Sequence, residues 1–131
     1  MTTPEIPESH KGLLGAQVGV LGTIGASGRP QLSATWFLAE GDTVKISLNT
    51  ARQKVKNLQA NPRASFLIFD PENPYKYLEL RGDAEITPDG DYSFADKVGA
   101  KYGGADLRER DHPGETRVVV AISPVRVIAW G

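Results

Sequence analysis

Between Asn49 and Leu58 the chain reads Asn-Thr-Ala-Arg-Gln-Lys-Val-Lys-Asn-Leu, and it carries cations where a helix start favours acids. Thr50 followed three residues later by Gln53 spells a capping box, which predicts a helix from Thr50 to Asn61-Pro62. Ala51, Val55 and Leu58 are spaced to bury one stripe of it. Arg52 and Lys54 then fall in or beside the first turn, where the helix dipole opposes positive charge. An anion held there would account for them. Free amides, the Thr50 hydroxyl, the forked Arg52 guanidinium and the Lys54 ammonium together make a phosphate cradle. A solvated basic face neutralised by carboxylates elsewhere is the other reading, and position alone leaves both open.

Little else in the chain offers chemistry. There is no cysteine, which excludes disulfides, thiolate metal sites and cysteine nucleophiles. The two histidines, His10 and His112, are too few for a histidine-rich metal centre and stand in polar, terminal or loop contexts. His112 belongs to the turn His112-Pro113-Gly114 and reads as a loop residue. Asp70 and Glu79 read as strand-end and surface carboxylates, so no catalytic side chain and no metal ligand is assigned. Gly19-Val20-Leu21-Gly22-Thr23-Ile24-Gly25 fails the dinucleotide fingerprint and lies in a strand, where Gly19 and Gly22 mark close backbone approach or a bend. A net charge of -1 argues against a broad nucleic-acid surface while leaving room for a local basic pocket. No window is long enough to span a membrane. Met1 to Lys11 is polar and lacks the apolar core of a signal peptide, so a cytoplasmic protein is expected.

The elements that must position the basic stretch follow from patterning. With 131 residues, 40% of them hydrophobic, one domain with one core is expected over residues 1–131, with a flexible N-terminus over 1–8. Ser9 can cap a short helix to about Ala16, with Leu13 and Leu14 inward. Strands are expected at Val18 to Ile24, Pro30 to Ala39 and Thr43 to Leu48, with turns at Ala26-Ser27-Gly28-Arg29 and Glu40-Gly41-Asp42. Beyond the helix come strands Ala64 to Asp70 and Tyr75 to Ile86, then a helix Tyr92 to Tyr102 stopped by Gly103-Gly104. Thr116 to Ser123 and Val125 to Trp130 close the chain, with Pro124 marking a bulge or an edge. About six to seven strands without a strand-helix-strand rhythm give a mainly antiparallel β-barrel with small helices at its rim.

Three stretches carry a resemblance: Gly28-Arg29-Pro30-Gln31-Leu32-Ser33, Ser47 through Lys54, and Asn57-Leu58 through Asn61-Pro62-Arg63-Ala64-Ser65. Their order and spacing resemble the pyridoxamine 5'-phosphate oxidase-like split β-barrel superfamily, and more closely its B-type F420-dependent flavin/deazaflavin oxidoreductases. The similarity runs from about Leu14 to Leu80 and more loosely through Arg117 to Ala121 and Ser123 to Val127. It implies a homodimeric split barrel that holds coenzyme F420, or FMN in the alternative. The backbone around Gln31, Ser33, Ala34, Thr35 and Trp36 would lie along the ring system. Ser47, Leu48, Asn49 and Thr50 would run beside the ribityl chain, with Arg52 and Lys54 on the phosphate. Tyr75, Tyr77 and Trp130 would reach a pocket edge, the partner's included, or simply pack.

The implied activity is hydride transfer between reduced F420 and an unsaturated small molecule. The competing readings are an FMN-binding oxidase or reductase of the same fold and a non-enzymatic carrier of flavin, F420 or haem. Haem suits the two histidines least. Pyridoxamine phosphate oxidase itself is disfavoured because the basic C-terminal substrate-phosphate motif is missing, with Arg117 and Arg126 isolated.

Overall fold

A computed structural model describes residues 4–131. Eight strands build the chain: β1 Gly19–Ile24, β2 Pro30–Thr35, β3 Leu38–Glu40, β4 Thr43–Asn49, β5 Arg63–Asp70, β6 Asn73–Pro88, β7 Arg117–Ile122 and β8 Arg126–Trp130. They pair antiparallel in the order β2-β1-β5-β6-β7-β4-β3, with β8 on β6. The helices are α1 Gln53–Ala60 and α2 Ser93–Lys101, with 3-10 turns at Glu8–Gly15 and Leu107–Arg110. This is the expected mainly antiparallel split barrel.

Alternation builds its interior. Val44, Ile46 and Leu48 of β4 point inward, as do Phe66 and Ile68 of β5, Leu78 and Leu80 of β6, and Val118, Val120 and Ile122 of β7. Two glycines let strands meet: a Cβ at Gly19 would strike the Phe66 ring, and one at Gly82 the Ser123 carbonyl oxygen. A second, smaller cluster packs Phe94, Ala95, Val98 and Leu107 with Trp36, Tyr92 and Tyr102 outside the barrel. Asp89, itself buried, accepts the Phe94 and Ala95 amides at 3.0 and 2.9 Å and so starts α2.

Several boundaries differ from the expectations. The strand expected over Pro30 to Ala39 breaks at Trp36-Phe37, where Trp36 turns to stack on Tyr102, and this division gives eight strands in place of six or seven. The Asn73-Pro74 pair does not separate strands but opens β6, leaving only Pro71-Glu72 as the turn. Ser9 does not cap the first helix, which starts from Pro7; its hydroxyl meets His10 Nδ1 at 2.8 Å. His10 is core, not a polar terminal residue, with Nε2 2.9 Å from the Trp130 carbonyl. That carbonyl can only accept, so Nε2 donates and Nδ1 takes the Ser9 proton. Part of the flexible stretch expected over 1–8 falls on residues 1–3, outside the described residues, while Ile6 is buried in the core.

Candidate functional site

The sheet opens between the end of β2 and the end of β4, and a cavity of about 480 Å³ lies in the gap. Ala34, Thr35 and Trp36 form one wall, Ile46 to Asn49 the other, and Arg52 and Lys54 its α1 end. The rest of the lining comes from Val98 of α2, Leu107 and Arg110 of the 3-10 turn, and the loop residues His112 and Glu115. Thr35 sits 8% exposed in this wall with a buried hydroxyl that has no partner.

At the α1 end the geometry departs from a capping box. The helix begins at Gln53 with Arg52 as N-cap and no side chain capping it. Thr50 has turned away, its hydroxyl lying 3.2 and 3.0 Å from the Thr116 carbonyl and hydroxyl oxygens, while Gln53 donates to Asn57 at 2.9 Å. The first amides of α1 are therefore left for something else. Lys54 is only 6% exposed and makes no ion pair among the described residues. Burial pushes its ammonium below the ordinary lysine value, and the neighbouring Arg52 charge pushes the same way. A desolvated cation at an uncapped helix start facing a cavity is the donor set of an anion site.

Behind this end lies an ionic knot that the sequence did not reveal. Arg117 donates to both oxygens of Asp111, at 2.9 and 3.0 Å, with both side chains almost fully buried. Asn49 donates to Asp111 and Glu115 at 2.9 Å each, and its Oδ1 accepts the Ala51 amide at 2.8 Å. Tyr92, held in the left-handed region at φ 62°, adds a 2.7 Å bond to Asp111. Burial alone would raise the Asp111 carboxyl, but the bonds from Arg117, Asn49 and Tyr92 hold it below the ordinary carboxylate value. The knot fixes the Asn49–Ala51 bend that leads into α1.

Of the expected site residues, Ala34, Thr35, Trp36, Ser47, Leu48, Asn49, Arg52 and Lys54 line this one cavity. Gln31, Ser33, Thr50 and Tyr77 do not. Gln31 is held by Asn57, which donates to it at 2.9 Å, and Thr50 is bound to Thr116. Tyr77 lines a separate hollow of about 360 Å³ on the outer face of β1, β2, β5 and β6, with Leu32 and Phe69. Tyr75 and Trp130 stand 80% and 63% exposed, away from the cavity within one chain. Arg110, His112, Glu115 and Arg117 enter the cavity wall without having been expected there. The dense charge of Leu107-Arg108-Glu109-Arg110-Asp111-His112 was the available signal.

The sequence profile of the family described as pyridoxamine 5'-phosphate oxidase matches residues 6–131. The chain belongs to this family. Within it, the solved structure of an F420 reductase is 35% identical, covers 94% of this chain and 98% of its own, and superposes with a TM-score of 0.82. A conserved hypothetical protein of Mycobacterium tuberculosis, 24% identical over 99% of this chain and 89% of its own, shares the fold at a TM-score of 0.78. The HupZ protein of Group A Streptococcus does so at 0.74, with 23% identity over 95% and 93% of the two chains. Arg117, locked to Asp111, is not free to take a substrate phosphate in this family member.

Proposed function

We propose that this family member is an oxidoreductase that binds coenzyme F420 in the 480 Å³ cavity and reduces an unsaturated small molecule. The observation that carries the reading is Lys54, buried without a counter-charge among the described residues at an uncapped helix start. It occurs in a chain 35% identical to an F420 reductase over nearly the full length of both. When bound, F420 supplies a hydride donor that reacts poorly with oxygen, because carbon stands where a flavin has its reactive nitrogen.

The chain's own residues bind and orient. Arg52 and Lys54 would hold the phosphate, with Ser47, Leu48 and Asn49 beside the ribityl chain and Ala34, Thr35 and Trp36 along the ring. Val98 and Leu107 keep water from the inner wall. FMN is the alternative cofactor, since the same cradle suits its phosphate. The reading expects a cytoplasmic homodimer.

The phosphate site is tested on Arg52→Ala, Lys54→Ala and the double variant. Losing one charge-assisted hydrogen bond costs roughly 1.5–3 kcal/mol, so each single variant should bind F420 about ten- to a hundredfold more weakly. The apo double variant should melt no lower than wild type, because removing cations from a helix start relieves about 0.3–1 kcal/mol. Unchanged affinity with a lowered melting temperature would overturn the site. Competition titration with FMN, followed by ring fluorescence, decides the cofactor: tighter FMN binding moves the protein to the alternative.

A further inference from the structure

Arg110 is placed unlike Arg117 across the cavity wall and unlike its near neighbour Arg108. Arg117 is paired with Asp111, and Arg108 with Asp96 and Asp106, whereas Arg110 makes no ion pair among the described residues. Its guanidinium instead lies 4.2 Å from the centre of the Trp36 ring, and both residues line the cavity. The other face of Trp36 is stacked on Tyr102, with centroids 4.2 Å apart and planes within 4°. Tyr102 in turn is pinned through its hydroxyl, 2.8 Å from the Gln17 carbonyl and 3.0 Å from the Phe37 amide. Trp36 thus has one face fixed on Tyr102 and carries the exposed Arg110 guanidinium on the other.

We propose that Arg110 determines acceptor specificity by recognising a carboxylate carried on a planar, unsaturated molecule. The proposal rests on the cofactor reading for the word acceptor, but the carboxylate site stands on its own geometry. A cation on an exposed aromatic face is held more weakly than one in a forked, charge-assisted bond to a carboxylate. A carboxylate entering the cavity therefore draws the guanidinium off Trp36. The bared indole face then stacks on the ligand's planar part. A neutral ligand of the same shape would have to displace Arg110 without that return.

The test uses the full-length apo protein, titrated with 2-naphthoate and with 2-naphthamide while tryptophan emission is followed, and titrated separately with F420. Wild type should bind the carboxylate at least about tenfold more tightly than the amide, the scale of one charge-assisted bond. Arg110→Ala should abolish that preference and leave F420 affinity within about twofold, while Arg108→Ala should keep the preference. Equal binding of naphthoate and naphthamide by wild type overturns the proposal. It is also overturned if Arg110→Ala weakens F420 and keeps the preference, which assigns the cation to the cofactor's acidic tail. A wild type that binds no F420 yet shows the Arg110-dependent preference supports the carboxylate site and overturns the cofactor reading.

Discussion

Lys54 concentrates the physics of the site in one side chain. Its folded-state pKa is lowered from 10.5, so across the window below that value the unfolded chain binds more protons than the folded one. The Lys54 contribution to apo stability then rises with pH through this window. Lys54→Met, which keeps the stem and removes the charge, should flatten that rise; melting curves of both proteins from pH 7 to 10 measure it. An anion beside the ammonium reverses the balance, because it favours the charged form. Cofactor affinity should accordingly fall as pH rises through the lowered value, with protons taken up on binding, as calorimetry in buffers of different ionisation enthalpy would detect. A pH-independent affinity would mean that the ammonium is not at the phosphate.

The elements show where pattern reading succeeds and where it stops. β4 and β7 were legible because Val44, Ile46, Leu48 and Val118, Val120, Ile122 alternate, and alternation is a property of the chain itself. The start of α1 was misplaced by the Thr50-Gln53 pair, since a hydroxyl takes whichever partner the fold brings, and the fold brings Thr116 across from β7. The break at Trp36 was hidden for a similar reason: its stacking partner, Tyr102, is far along the chain. The ionic knot of Asp111, Arg117, Asn49 and Glu115 joins one loop and β7 to β4, and no local spacing announces such a set. Asp89 is a further case, capping α2 from outside the helix. Asp89→Ala should cost about 2 kcal/mol, the upper end for losing a helix cap, because two buried amides lose their acceptor. Urea unfolding would measure it. Because Val98 of the same helix walls the cavity, F420 affinity should weaken in parallel.

For the whole molecule, the apolar hollow on the outer sheet face is the feature one chain leaves unexplained. Leu32 is 70% exposed there and Phe69 37%, beside the half-buried Tyr77. A second copy packed on this face would satisfy the homodimer expectation, and stable interfaces of the obligate kind bury about 2,000 Å² or more. Leu32→Asp should convert such a dimer to monomers in sedimentation, whereas a monomeric wild type at micromolar concentration would dismiss the assembly. A different consequence follows from β6. Its residues Tyr77–Arg81 pair with β8 and with Ser65–Phe69 of β5, while Ala84–Pro88 of the same strand pair with β7. One strand therefore belongs to both halves of the split barrel, bending across at Gly82 where no side chain fits. Neither half can fray as an independent unit without stripping its share of that strand. Folding has to close distant loops, such as Asn49 to Arg117, before most of the pairing energy is gained. The cavity, lying where the halves part, thus has its two walls tied through one shared strand, and local opening of one wall should be coupled to the other.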